Sequence, residues 1–383
     1  MNADELMLGL QMMKGIGNVS ILRLTQNVAM QMGIEDWLTH PFEVLREIWR
    51  LPIQRVEEIL PKRESKAFEE GRKNNSFNQI LCEKKKMQES GVCYFPIFHS
   101  RYPKKLLDIA DPPVAVFVKG KIDCLKKPCV AVIGARICSE YGSYVARCYG
   151  KKLGEAGVTV VSGMAAGIDG IAQRAALQAG GASLGVLGCG VDVCYPPENR
   201  ELYHLLQESG CLISEYFPET KASAGHFPMR NRIISALSDA VIVIEARQKS
   251  GTQITADLAL EQGKEVYAVP GRVTDSLSAG CNILLSQGAG VALSPDRVLE
   301  ELWGNPVWKE KETVDTKAKE QGLRKLILDA LDITPKSLEK IYDEVCAKAG
   351  EKKELKEVAA VIMELCMEGK VKQNYVNFFS LKN

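Results

Sequence analysis

The chain has 383 residues, 46% of them hydrophobic and 25% charged, which suits a soluble protein of two or three domains and excludes collagen-like, wholly disordered and multi-span membrane classes. Forty-nine Lys and Arg against 48 Asp and Glu leave a net charge of +1, so the chain does not coat nucleic acid through bulk basicity. Any polyanion site has to be local.

The start, MNADELMLGLQMMKGIG, lacks a charged-then-apolar signal layout, and no apolar run approaches the roughly 20 residues needed to span a bilayer, so a cytoplasmic address is expected. Residues 1–80 read as a small helical domain, of the SAM or helix-hairpin-helix kind, broken at Pro41, Pro52 and Pro61. Within it, Lys14-Gly15-Ile16-Gly17 is either a phosphate-facing turn or an ordinary tight turn between helices.

From Tyr94 the texture changes to short apolar runs alternating with helix-length segments. The runs are Val114–Val118, Val130–Ile133, Val158–Val161, Ser183–Leu187, Leu212–Ile213, Ala240–Ile244 and Val266–Val269; the helical segments are Tyr144–Ala156, Ile171–Ala179, Arg200–Glu208 and Ile254–Gln262. Strands apolar on both faces between helices predict an α/β domain over 81–308, an extended Rossmann-like, mostly parallel sheet covered on both sides. Residues 309–321 (KEKETVDTKAKEQ) read as a solvated linker, and 322–383 as a winged-helix-like module. Its third helix region, 351–368, carries three lysines and five glutamates, which opposes phosphate approach and favours protein contacts or a structural role.

Twelve scattered cysteines, with no CxxC pair, read as reduced and mostly buried thiols. The four histidines have no neighbours at metal or triad spacing, so neither a metal nor a catalytic group is expected. No cofactor is expected either, because G-x-G-x-x-G is not met after the first strand and no G-x-x-x-x-G-K-[ST] occurs.

In an open parallel sheet, ligands sit at the carboxyl ends of the strands. The loops there are Gly134-Ala135-Arg136, Ser162 to Asp169 with Gly163 and Gly167, Gly188-Cys189-Gly190 with the Tyr195-Pro196-Pro197 turn, Lys249-Ser250-Gly251-Thr252, and Pro270-Gly271-Arg272. Asp169 can cap the helix that follows its loop. Phe227-Pro228-Met229-Arg230-Asn231-Arg232 adds two guanidinium groups, an amide and a ring. Six of the 13 positive charges of residues 129–290 (Arg136, Arg230, Arg232, Arg247, Lys249 and Arg272) fall in or beside these loops. Guanidinium groups suit phosphate and an aromatic face suits a stacked base, so a nucleotide or a single strand is the expected ligand. If 230–238 is helical, Arg230 and Arg232 point about 200° apart. Both then reach one ligand only if Arg230 precedes the helix; otherwise one is structural, tying down a loop carbonyl or pairing with Glu215 or Glu245.

Val132-Ile133-Gly134-Ala135-Arg136, Ser162 to Asp169, Tyr195-Pro196, Ile213-Ser214-Glu215, Phe227 to Ile233, Ser250-Gly251-Thr252 and Val269-Pro270-Gly271, in that order, resemble the bacterial DNA-processing protein A (DprA, or Smf) family. The resemblance implies a homodimer that binds single-stranded DNA, loads RecA onto it in natural transformation, and carries out no catalysis. It implies DNA contacts at Arg136, Ser162, Gly163, Gly167, Phe227, Arg230, Asn231, Arg232, Lys249, Ser250, Gly251 and Thr252, with Arg230 and Arg232 setting the salt dependence. Two departures stand out: Ala135, where the family often has Ser or Thr, and Gln173, where it often has His. Two other readings compete. A nucleotide phosphoribohydrolase of the lysine-decarboxylase-like group would need a glutamate where Thr255 stands, and a duplex reader would use the winged helix.

Overall fold

Strands apolar on both faces are buried only when helices cover each side, and the computed structural model has that architecture. It describes residues 3–12, 17–22, 76–304, 323–349, 355–375 and 377–381. The described residues divide into two compact units, one of 1–138 with 146–302 and one of 139–145 with 303–383.

Among the described residues up to 304 the α-helices are α1 (Ala3–Met12), α2 (Ser76–Glu89), α3 (Glu140–Glu155), α4 (Ile168–Gln178), α5 (Arg200–Ser209), α6 (His226–Leu237), α7 (Gly251–Glu261), α8 (Ala279–Ser286) and α9 (Pro295–Trp303). The strands are β1 (Cys93–Pro96), β2 (Ala115–Gly120), β3 (Cys129–Ile133), β4 (Thr159–Ser162), β5 (Ser183–Val186), β6 (Cys211–Ser214), β7 (Ala240–Val243), β8 (Glu265–Ala268) and β9 (Gly290–Val291). They form one sheet in the order β1-β2-β6-β5-β4-β3-β7-β8-β9. Strands β3 to β9 run parallel, while β2 lies antiparallel to β6, and β1 to β2. The core domain is therefore an extended Rossmann-like α/β sheet. Every residue of β3, β4, β5, β6 and β7 is buried.

From β3 the chain builds outward through β4, β5 and β6, then returns to β7 on the other side of β3 and continues to β9. The order reverses between β3 and β7, which opens a crevice at their carboxyl ends. Helix α6 covers that region and is anchored by Ile233, Ile234 and Leu237, all at most 2% exposed. Each of these contributes about 1.5–3 kcal/mol by leaving water.

Six expected runs, from Val130–Ile133 to Val266–Val269, match β3 to β8 within one residue at either end. Helices α3, α4 and α7 begin three or four residues earlier than apolar periodicity indicates. In their first turns Gly142 and Ser143, Asp169 and Gly170, and Gly251 to Gln253 interrupt the apolar pattern; at α3, the Ser139 hydroxyl caps the helix by accepting the Gly142 N–H at 3.0 Å.

Helices α1 and α2 pack Leu8, Ile80 and Met87 against Phe117 of β2, and Lys84 pairs with Glu5 at 2.6 Å. Most of the expected helical domain, including Lys14, Gly15 and Ile16, lies outside the described residues, as does the linker at 309–321.

The second unit contains α10 (Leu323–Ala330), β10 (Lys336–Ser337), α11 (Leu338–Ala349), α12 (Leu355–Met367), β11 (Val371–Tyr375) and β12 (Phe378–Leu381). Three helices beside a sheet ordered β10-β12-β11 give the winged-helix layout, centred on Ile327, Ile341, Ile362 and Phe379. Two glutamates at and just after the end of α12 are engaged by Arg324, which meets Glu364 at 3.2 Å and Glu368 at 2.5 Å. All twelve cysteines are unbridged. Among the described residues no helix is long and apolar enough to cross a membrane, and no group of His, Cys, Asp and Glu could hold a metal ion.

Candidate functional site

The crevice at the reversal point is a cleft of about 680 Å³, lined by the loops after β3, β4 and β7 and by α6. A smaller pocket of about 160 Å³ adjoins it beneath Tyr195, Phe227, Arg136 and Arg230.

Two backbone features bring the loops this close. Gly167, with φ +73°, packs so tightly that a Cβ there would lie 2.3 Å from the Ala135 carbonyl oxygen. Met164 adopts φ +52°, and Asn199 holds its loop by donating from Nδ2 to the carbonyls of Met164 and Ala165, each at 3.0 Å. Gln173 adds a brace, accepting the Met164 N–H at 3.1 Å and donating to the Ser183 hydroxyl and the Leu184 carbonyl. The departure at Gln173 is thus a structural amide joining β4 to β5.

Helix α6 places the aromatic group. At its start, the His226 ring stacks on Tyr216 with centroids 4.1 Å apart, and Nδ1 donates to the Gly188 carbonyl at 3.1 Å. Phe227 is thereby set over the loop after β5, its ring 5.4 Å from Tyr195, 5.3 Å from the Arg136 guanidinium and 6.0 Å from that of Arg230. Tyr195 is 40% exposed, so the ring pair reaches the opening with cations beside it.

One turn along α6, Arg230 is buried and donates through Nη1 to the carbonyls of Gly163, at 2.9 Å, and of Val186. Burial pushes its pKa down to about 10, against the pull of Asp169 and with a further push from Arg136. It sits so close to Gly163 that a Cβ on that residue would lie 2.6 Å from Nη2.

Asp169, also buried, accepts the Gly163 N–H at 3.0 Å. Burial raises its pKa; Arg230, Ser162 and the N–H groups of Gly163 and Gly134 oppose that rise. The sequence marks Asp169 as a helix cap, yet its carboxylate fills the glycine-lined hollow where an anion would otherwise sit. A carboxylate within a glycine-rich anion loop is the signal that points to this.

Across the cleft, α7 begins at Gly251 with Ser250 as its N-cap, and the Ser250 hydroxyl is buried without a hydrogen-bond partner. Asn231 ties α6 to this turn through Nδ2, which donates to the Gly251 carbonyl at 3.4 Å. The positive end of α7 therefore faces the cleft beside Arg247.

Of the residues named from sequence, Arg136, Phe227, Arg230, Asn231, Ser250, Gly251 and Thr252 line the cleft, and Gly163 lines the smaller pocket. Ser162, Gly167, Arg232 and Lys249 line neither. The Ser162 hydroxyl is buried and donates to the Val132 carbonyl at 2.7 Å, and Gly167 serves loop packing. Arg230 lies inside α6, so Arg232 emerges on the other side of the helix, where Nη2 donates to Glu215 at 2.5 Å and Nε lies 3.4 Å from Asp111. Arg232 is a structural ion-pair residue. Tyr195, Ile137 and Leu277 join the lining without having been named as contacts; an aromatic residue followed by two prolines in a ligand loop was the available signal for Tyr195.

The buried acids make a prediction about pH. Burial raises both Asp169 and Glu215 above their ordinary values of 3.8 and 4.5, with Arg230 and Arg232 respectively the main opposing influences. Each group thus contributes most to stability below its ordinary value, and loses that contribution as the pH rises through the raised one. Asp169→Asn is expected to remove the Asp169 share of that decline, giving a flatter plot of urea midpoint against pH above 3.8. An unchanged plot would show that Asp169 is not perturbed.

The family profile of DNA recombination-mediator protein A matches residues 94–303. DNA processing protein DprA of Bacillus subtilis (strain 168) is 42% identical over 216 residues, covering 56% of this chain and 73% of the relative. The chain belongs to the DNA recombination-mediator protein A family. Among solved structures, family member DprA from Streptococcus pneumoniae is 34% identical with a TM-score of 0.62, over 79% of this chain and 99% of that one. DNA processing protein A from Helicobacter pylori, solved in a study of its single-stranded DNA binding mode, is 30% identical with a TM-score of 0.50, over 55% of this chain and 95% of that one. The family match spans every cleft-lining loop and all of α6.

Proposed function

We propose that this chain holds single-stranded DNA in the cleft between the carboxyl ends of β3 and β7, performs no reaction on it, and as a homodimer delivers it to RecA during DNA processing. The Tyr195–Phe227 ring pair, flanked by Arg136 and Arg230 and facing the α7 N-terminus, carries the reading. Rings accept bases of any sequence, while Arg136 and the α7 N–H groups suit phosphates. The Helicobacter pylori relative supports a single strand as ligand. Membership of a recombination-mediator family supports RecA as recipient, and the resemblance supports the dimer.

The absence of a reaction is argued from the groups in the cleft. Thr255, at the position where a phosphoribohydrolase would need its glutamate, donates its hydroxyl to the Gly251 carbonyl at 3.4 Å. Asp169 is bound to backbone N–H and lies beside Arg230, which leaves it poorly placed as a base.

Anisotropy titration of labelled oligo-dT at several salt concentrations tests the reading. Arg136→Ala is expected to weaken binding and flatten the logarithmic salt slope by about 0.7, the loss of one single-strand phosphate contact. Phe227→Ala is expected to cost about 1–3 kcal/mol with the slope unchanged. Wild-type affinity in both variants, or release of adenine from AMP by the purified protein, would overturn the proposal.

A further inference from the structure

We propose a second nucleic-acid surface at the opposite end of the same sheet, a basic ridge beneath the amino ends of β6, β5, β4, β3 and β7 that takes the phosphodiester backbone of duplex DNA. Residues 101–127 hold seven Lys and Arg against three Asp, although the whole chain carries only +1.

The backbone of this segment fixes where those charges lie. The Lys121 N–H donates at 2.7 Å to the carbonyl of Gly210, the residue before β6. The chain then passes beneath β4, where the Thr159 hydroxyl donates to the Cys124 carbonyl at 2.8 Å, and reaches Lys127 two residues before β3. Under β7, Lys105 pairs at 2.6 Å with Asp239, which also accepts the Cys129 N–H at 2.8 Å. Arg101 sits over the Phe95 ring, 4.9 Å from its centroid, and its charge is felt by Cys211 at the start of β6. From β6 to β7 is four strand spacings, about 19 Å. That is the length of five or six phosphates along one strand of a duplex.

Of the local acids, Asp123 pairs with Lys126 at 3.0 Å, Asp239 with Lys105 and Asp111 with Arg232, and only exposed Asp108 has no ion pair among the described residues. Arg101, Lys104, Lys121 and Lys127 are exposed and carry no ion pair among the described residues, leaving four cations for a ligand. The ridge ends at β8, which opens with exposed Glu265.

The chemistry selects the ligand. Phe95, beneath Arg101, and Tyr102 are buried and offer no stacking platform to a single strand. Backbone charge is what remains to be read, and a duplex carries more of it per unit length.

The test uses the full chain with its cleft saturated by labelled oligo-dT and a random-sequence duplex bearing a second dye. The duplex is expected to add without displacing oligo-dT, and its affinity to fall on the order of 100-fold between 50 and 200 mM salt, as four phosphate contacts require. Lys104→Ala, Lys121→Ala and Lys127→Ala together, all at exposed positions, are expected to reduce the duplex slope by about 2.7 and leave oligo-dT affinity unchanged. Displacement of oligo-dT, wild-type duplex binding by the triple variant, or equal binding of a poly-glutamate peptide would overturn the assignment. The triple variant reads the ridge whether or not oligo-dT binds the cleft, so failure of the cleft reading remains distinguishable.

Discussion

Replacing Arg230 with alanine is expected to lower the unfolding free energy by about 3–5 kcal/mol, because it strips two buried carbonyls of their donor and removes the cation that most offsets the burial of Asp169. Arg230 is 5% exposed, bonds the carbonyls of Gly163 and Val186 and lies beside Asp169, so its loss strands several polar groups at once. Urea denaturation measures the effect, and a double variant isolates its source. Adding Asp169→Asn to Arg230→Ala is expected to restore part of the loss, since it removes the unpaired charge. Simple additivity of the two substitutions would show that the pair is uncoupled.

Arg232→Ala is expected to cost a similar amount for a different reason. It leaves Glu215 buried at 7% side-chain exposure with no cation within 4 Å among the described residues, and Arg232 itself does not line the cleft. The salt slope of oligo-dT binding should stay at its wild-type value in conditions where the variant is folded, and Glu215→Gln in the Arg232→Ala background should regain stability. A slope flattened by about 0.7 would instead return Arg232 to the binding surface.

The contrast between these arginines shows where the sequence stops being readable. The sheet was legible because strands buried on both faces leave continuous apolar runs, and β3 to β8 fall within one residue of those runs. The first turns of α3, α4 and α7 were not, because Ser, Gly and Thr there serve capping and close approach instead of a core. That Arg230 and Arg232 diverge by about 200° follows from helix geometry. Which of them faces the cleft depends on where Glu215 sits, and a tertiary distance has no local signature. Asp169 was hidden for the same reason: an acid early in a helix looks like a cap until its partner N–H groups are known to come from the loops after β3 and β4.

The carboxylate of Asp169 has a further consequence for what the cleft can refuse. In a dinucleotide-binding domain, the glycine-loop N–H groups after the first strand receive a pyrophosphate. Here the Gly134 N–H, after β3, helps to hold a resident acid, and the Gly163 N–H, after β4, is bonded to the same carboxylate at 3.0 Å. A free nucleotide entering the cleft would meet negative charge where it needs positive charge. A polymer, engaging Arg136 and the rings at the mouth, has no need of that hollow. The fold thus keeps the scaffold of a nucleotide binder while closing its deepest seat to small metabolites, so abundant cellular nucleotides would be poor competitors for a long strand.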